Sequence, residues 1–331
     1  MTTTRNDEKR PVVVFGGAGF VGHHLVSRLA DAGRDVVVLD DLSRGRRALL
    51  APALETGRVR LVEGDVAAPG AARALLEAVR PLTVFHLAAM HFIPQCVAAP
   101  TDTVRVNVLG TQSVLEALEV VPEARLVFVS TADVYAPGEH PHREDDAIGP
   151  NNVYGLSKLI GEQLLALAGR TRPRPGRALA ARLFNVYGPG ETNPHVLPDV
   201  LDWVRRGEHP RLGNLEPLRD YVHVHDVVDA LLGLAVYDGP AEVFNVGTGV
   251  ATSVATLVRT LGEALGRPLE ARQDPAKVRA VERMRLVADA TRAAREFGWR
   301  PRVRLLDGLR DLVQAECATV PERRYAGAGG R

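Results

Sequence analysis

Three side chains are spaced for proton transfer at a hydroxyl group. Tyr154 and Lys158 stand four residues apart in the apolar-periodic run Val153–Leu167, so phenol and ammonium share one helix face. A phenol titrates near pH 10, and making it ionise near pH 7 takes about 4 kcal/mol. A neighbouring ammonium supplies part of that, and a second positive charge nearby would supply more. Thr131 follows the strand-like run Leu126–Ser130, which ends where a second hydroxyl sharing the substrate's proton is needed. Such a set suits removal of a hydroxyl proton as hydride leaves the same carbon.

A hydride acceptor must then be held nearby, and the segment Pro11–Gly22 (PVVVFGGAGFVG) is built to hold one. Val12–Phe15 is a continuous apolar run, suited to a strand buried on both faces of a parallel sheet. Gly16, Gly19 and Gly22 leave the backbone free to approach a pyrophosphate. Phe20 and Val21 open an apolar-periodic helix whose N–H groups and positive dipole end face that anion. A second strand, Asp35–Asp40, ends in an acid 18 residues beyond Gly22, placed to accept from the adenosine ribose hydroxyls. Asp40 would repel a 2′-phosphate, which favours NAD over NADP, although Arg44, Arg46 and Arg47 follow closely. Asp41, Leu42 and Ser43 form the loop beside the adenosine end.

These groups need a scaffold, and the chain alternates strands and helices as a doubly wound parallel α/β sheet does. Val59–Val62 predicts a third strand, followed by Asp65 and Val66; Asp65 suits either an acceptor for the adenine amino group or a helix N-cap. Thr83–Leu87 predicts a fourth strand, ending in small residues Ala88 and Ala89 that allow close passage of a cofactor. A loop over Met90–Pro100 leads to a helix from Thr101 or Asp102 to about Leu118. Asn107 on that helix is either a surface residue or a brace beneath the nicotinamide. Leu126–Ser130 is the fifth strand, delivering Ser130, Thr131 and Asp133 to the sheet edge where such folds place ligands. Ala136–Pro150 reads as a surface loop over a cleft, and Asn151 or Asn152 caps the Tyr154 helix. Gly169–Arg177 reads as a solvated connector, and Ala178–Leu183 as the sixth strand. Beyond Phe184 come a turn cluster over Asn185–Gly190, a helix over Val196–Arg206 and mostly loop over Pro210–Asp220. A short strand Asp220–His223 and a helix Asp226–Val236 precede a strand Val243–Val246. Further helices are expected over Ser253–Leu265, Asp289–Phe297 and Leu305–Cys317.

The bulk numbers exclude several classes. Forty-one Lys and Arg against 40 Asp and Glu leave no field to attract nucleic acid or an anionic membrane. No apolar run approaches the length of a membrane span. The polar N-terminus is not a signal peptide, and Cys96 and Cys317 offer neither a disulfide framework nor a metal site. The expectation is a cytoplasmic, metal-free, soluble protein without internal repeats.

Taken in order, Gly16, Gly19, Gly22, Asp40, Asp65, the His86–Ala89 run, Asn107, Ser130-Thr131 and Tyr154-x-x-x-Lys158 resemble the extended short-chain dehydrogenases/reductases. Within them the chain looks most like the NAD-dependent nucleotide-sugar epimerases and dehydratases, over about residues 11–320. The resemblance implies Tyr154 as base at a sugar hydroxyl, Lys158 on the nicotinamide ribose and Thr131 assisting. It places Asp40 on the adenosine ribose, Asp65 and Val66 near adenine, and Leu87–Ala89, Asn107, Ser130 and Phe184 along the cofactor. For the substrate it implies Asn185 and Arg219 on the nucleotide diphosphate, with Asp133, His195, Val196 and Leu212 lining the sugar-nucleotide site. Arg219 alone also suits an ion pair with Asp220 or Asp226. Arg285 is a candidate second clamp within the arginine-rich stretch Arg279–Arg285.

Family members that eliminate water commonly carry Thr-Asp-Glu, whereas this chain has Thr131-Ala132-Asp133. The missing acid favours 4-epimerisation of a UDP-linked hexose over dehydration, decarboxylation of a UDP-glucuronate or ketosugar reduction; a non-enzymatic NAD-binding module is the remote alternative. Phe15, where threonine is often found, and His91, where UDP-galactose epimerases often have lysine, point to a relative of the housekeeping enzymes. The implied architecture is a disordered lead-in (1–10), an NAD-binding domain (11–187 and about 224–248), a smaller C-terminal substrate-binding lobe (188–223 and 249–324) and a flexible tail (325–331). The helices over 101–118 and 153–167 resemble those that pair as a four-helix bundle in family homodimers.

Overall fold

The computed structural model describes residues 10–171, 175–278 and 283–318. Residues 1–9 of the lead-in expected over 1–10, and the tail expected over 325–331, lie outside these residues. Seven strands form one parallel sheet: β1 (Val12–Phe15), β2 (Val36–Asp40), β3 (Val59–Glu63), β4 (Thr83–His86), β5 (Arg125–Thr131), β6 (Ala178–Leu183) and a seventh, Val243–Val246. Counting β7 (Asn185–Tyr187), β8 (Arg211–Leu212) and β9 (Leu218–His223) in chain order, the seventh is β10. The sheet order is β10-β6-β5-β4-β1-β2-β3. Order reverses between β1 and β4, so a crevice opens there at the carboxyl ends of the strands.

Successive residues of each strand supply opposite faces. Val12, Val14, Val36 and Val38 pack with α1 (Phe20–Asp31), α2 (Arg47–Glu55) and residues of the helix Val224–Val236. Val13, Phe15, Val37 and Leu39 pack on the other face with α3 (Ala71–Val79) and residues from Val114 to Val121. The apolar runs of the sequence therefore reflect burial from both sides.

The helical layer differs from the sequence expectation in one informative place. The loop over 90–100 contains a short helix, α4 (Ile93–Ala98). The helix expected from residue 101 is instead α5 (Pro100–Val104), a π-helical turn (Arg105–Leu109) and α6 (Gly110–Ala117). The π turn carries Asn107, which is fully buried. α7 (Val153–Thr171) starts where expected: Asn152 Oδ1 accepts from Gly155 N at 2.8 Å, so Asn152 is the capping residue.

A second core surrounds Tyr187, α8 (Val196–Arg205), α10 (Val254–Ala264) and α12 (Leu305–Ala318); α9 (Val224–Val236) and α11 (Thr291–Phe297) precede and follow α10 in the chain. It includes β9, which pairs with β7, with β11 (Ala251–Ser253) and with β13 (Arg285–Leu286). β12 (Arg272–Gln273) pairs with β8. Asn185–Tyr187, expected as a turn, is extended because β9 supplies its partner: Asn185 lies against Tyr221. β8 likewise interrupts the loop expected over 210–220.

Candidate active site

A cleft of about 1140 Å³ runs from the glycine turn across the sheet edge to β9. The turn is shaped by contacts that no side chain would permit. Gly16 has φ +79°, and a Cβ there would lie 2.5 Å from Ala88 N. At Gly22 a Cβ would lie 2.3 Å from Gly16 O. These glycines seat α1 under the turn and leave its N-terminus open to the cleft, the cradle that a pyrophosphate needs.

Asp40 closes the end of the cleft expected to take the adenosine. Its Oδ2 accepts from Ala18 N and its Oδ1 from Leu42 N, both at 2.9 Å, which fixes the carboxylate on the cleft wall. Burial raises its pKa above the ordinary value, against those two bonds. Asp41 and Ser43 also line the cleft, tied together by the Ser43 hydroxyl donating to Asp41 Oδ1 at 2.6 Å. Asp65 and Val66 line it too; Asp65 accepts from Ala67 N at 2.8 Å and from Arg105 at 2.5 Å. Asp65 caps no helix, since α3 begins at Ala71 behind Gly70.

Gly16, Gly19, Phe20, Val21, Gly22, Leu87, Ala88, Ala89, Ser130 and Phe184 all face the cleft. Two expected cofactor residues do not. Leu42 packs against the core beneath the cleft. Asn107 is a buried brace: its Oδ1 accepts from Met90 N, and its Nδ2 donates to Met90 O and to Ser157 Oγ, all within 2.9 Å. The surface alternative for Asn107 is thereby excluded. The π turn aims this amide, tying the strand β4 exit to α7.

The three residues expected to act in proton transfer converge on the cleft, Thr131 from the end of β5 and Tyr154 and Lys158 from one face of α7. Burial pushes the Tyr154 phenol above its ordinary value, the nearby Asp133 adds to this, and a hydrogen bond with Thr131 opposes it. Burial pushes Lys158 down to about 7, with the Glu162 carboxylate acting against it. The ammonium sits 4.7 Å above the Phe128 ring. The protein's own groups therefore favour the protonated phenol at neutral pH, and a push toward phenolate has to come from a neighbouring cation.

Beneath them lies a buried charged network that sequence reasoning did not reveal. Glu162 accepts from Ser130 Oγ at 2.5 Å and from Arg182 Nη2 at 2.7 Å. Arg182 also donates to Glu144 O at 3.0 Å and stacks over Tyr135.

On the substrate side Asp133, Asn185, His195, Val196, Leu212 and Arg219 line the cleft. The Asn185 Oδ1 is buried without a hydrogen-bond partner among the described residues. His195 pairs with Glu191. Arg285 is displaced from the expected role: it enters β13 against Leu218, and Arg283 lines the cleft instead. Arg283 donates to Tyr135 O at 2.8 Å and to Ala132 O at 3.3 Å. Burial raises Asp133, while Arg283 and Arg219 hold it down. Arg279–Glu282 lie outside the described residues. Sequence reasoning also missed Phe92, which lines the cleft near His195, and Asn193, which bonds to His91 at 2.7 Å.

The order of strands, the glycine cradle and the Tyr-Lys pair define a dinucleotide-dependent α/β enzyme of the extended short-chain type. The chain belongs to the NAD dependent epimerase/dehydratase family, whose model matches residues 12–247. It is 34% identical over 309 residues to a UDP-glucose 4-epimerase from Mycolicibacterium smegmatis, covering 91% of this chain and 97% of that protein. The fold is similar to that of Thermotoga maritima UDP-glucose 4-epimerase solved with UDP-glucose, with 31% identity, a TM-score of 0.85 and coverage of 93% and 99%. It is also similar to MoeE5 in complex with UDP-glucuronic acid and NAD, with 32% identity, a TM-score of 0.83 and coverage of 94% and 100%. The cofactor is NAD, and the cradle, Asp40 and the cleft-facing small residues fit it.

Proposed function

We propose that this protein is a nucleotide-sugar 4-epimerase that inverts C4 of an NDP-hexose, UDP-linked, through a transient 4-keto sugar. The observation that carries this reading is the local set at the cleft floor. Thr131 is hydrogen-bonded to Tyr154, Lys158 stands one turn away, and the neighbouring acid position is Ala132. NAD, when bound, supplies the hydride acceptor and donor at C4 and a positive charge beside the phenol. Tyr154 takes the 4-hydroxyl proton and returns it, and Thr131 shares that proton during the exchange. Lys158 lowers the cost of the phenolate and orients the nicotinamide ribose. Asp40, Asp65 and the glycine turn hold the adenosine half, while Asn185 and Arg219 hold the nucleotide diphosphate, a role suited to a guanidinium that stays charged.

In this reading residues 11–187 with about 224–248 carry the cofactor, and 188–223 with 249–324 carry the sugar nucleotide. The protein works as a cytoplasmic homodimer through a four-helix bundle. Support comes from Val104, Leu109, Leu156 and Leu167, apolar yet more than 40% exposed on the helical segments that would pair. Light scattering showing a monomer at micromolar concentration would refute the dimer.

The defining test incubates the purified protein in D2O with UDP-glucose, UDP-galactose, UDP-glucuronate or UDP-N-acetylglucosamine and no added cofactor. Unchanged product mass with an inverted C4 coupling pattern in the proton spectrum is expected. Loss of water would assign a dehydratase and loss of carbon dioxide a decarboxylase. Turnover only with added NAD(P)H would assign a reductase.

A further inference from the structure

At the C-terminal end of β9, three side chains from two distant segments meet with their ligating atoms within 4.8 Å of one another: His223, His225 and Asp311. His223 ends β9 and caps α9, and it is 1% exposed. Its Nε2 is buried and has no hydrogen-bond partner among the described residues, and the same holds for Asp311 Oδ2 on α12. The two atoms face each other at 3.3 Å. Two ligands of one tetrahedral zinc ion, each about 2.0–2.1 Å from the metal, stand about 3.3 Å apart. His225, one residue beyond the buried start of α9, is exposed, and its ring packs edge-on against His223 with centroids 4.8 Å apart.

We infer that His223, His225 and Asp311 form a binding site for a divalent zinc-like ion, with solvent completing a tetrahedral shell. Imidazole and carboxylate donors in this number suit borderline ions such as Zn2+ and are poor for Mg2+ or Ca2+, which take oxygen ligands. Neighbouring groups do not compete for the ion. The Asp226 carboxylate is taken by the N–H groups of Arg302 and Val303, each at 3.0 Å, and His24 Nε2 is tied to Pro189 O at 2.8 Å. Loading the ion places the His223 proton on Nδ1, so the site gives up the N–H of His225 that now points at Nδ1 from 3.4 Å, a long and weak bond. The ion joins α12 to the end of the strand that carries Arg219 and Tyr221 on the cleft wall. It is therefore a structural clamp on the substrate side, separate from the chemistry, and the inference does not depend on which sugar is bound.

The test uses the NAD-loaded full chain, freed of metal with EDTA and dialysed, and titrated with Zn2+ against a chromophoric chelator. One ion per chain is expected, and Zn2+ at about a hundredfold over its Kd raises Tm by about 4 °C. His225→Ala and Asp311→Asn each weaken binding at least tenfold and cut the Tm rise at the same Zn2+ concentration to about 2 °C or less, while metal-free turnover and Tm stay at the wild-type level. Mg2+ gives no shift. Absence of stoichiometric Zn2+ binding, or wild-type affinity in both variants, would overturn the assignment and leave His223 and Asp311 as an ordinary imidazole–carboxylate contact.

Discussion

Replacing Glu162 by Gln probes the charge network on which the Tyr154–Lys158 helix rests. Glu162 and Arg182 have side chains 8% and 6% exposed, and the guanidinium reaches the carboxylate through Nη2 at 2.7 Å and Nε at 3.0 Å. Removing one partner of such a buried pair leaves the other charge uncompensated and costs about 3–5 kcal/mol. The lower end is expected here, because the amide oxygen of Gln still accepts one bond and Glu144 O still accepts from Arg182 at 3.0 Å. A second effect is electrostatic. Glu162 is the larger of the two charges that oppose the burial lowering Lys158, so without it the Lys158 pKa falls further and the side chain carries less charge at neutral pH. Urea unfolding of the NAD-loaded protein reads the first effect and turnover across pH 6–9 reads the second. The account predicts a loss of about 3 kcal/mol and a drop in kcat at pH 7 with unchanged affinity for UDP. The double variant Glu162→Leu, Arg182→Met removes both charges and recovers most of the stability without recovering activity. A loss below about 1 kcal/mol with an unshifted pH profile would refute the assignment of Glu162 as counter-charge to both cations.

Other consequences follow from the same geometry. Gly16→Ala forces a Cβ to 2.5 Å from the Ala88 backbone at a left-handed φ, so NAD content after purification is expected to fall sharply, as read by release on denaturation. Tyr154→Phe keeps the ring packing and removes the proton acceptor, so kcat drops by about 10²–10⁴-fold while UDP and NAD binding are retained. Lys158 has a folded-state pKa of about 7, below its unfolded value, so its burial penalty is fully present below pH 7 and is relieved as pH rises toward the unfolded value. Lys158→Met therefore raises Tm relative to wild type more at pH 6 than at pH 9; an equal difference at both would contradict the lowered value.

What could be read from the chain was local. The β1-turn-α1 unit, Asp40 and the Tyr154–Lys158 spacing each declare themselves within one or two elements, because strand burial and helix periodicity act over short distances. Where identity depends on a distant partner, the sequence is silent. Asn185–Tyr187 is a strand only because β9 lies beside it. Which described arginine of the 279–285 stretch reaches the cleft depends on where β13 docks on β9, and that docking leaves Arg283, not Arg285, on the cleft wall. The π turn at Asn107 answers a need for buried hydrogen bonds to Met90 and Ser157 that no periodicity encodes. The Glu162–Arg182 pair and the His223–Asp311 contact likewise join residues far apart in the chain, and neither residue type nor spacing marks them beforehand.

The most direct test of the central claim follows an isotope at the reacting carbon. UDP-hexose carrying deuterium at C4 is incubated with the protein in ordinary water, without added cofactor, and the 4-epimer is isolated. The account predicts that the product retains deuterium at C4 and that kcat shows a primary isotope effect, since the same hydride leaves and returns while Tyr154 exchanges only the hydroxyl proton. Washout of the label into water, or a product formed with C4 configuration unchanged, would contradict it.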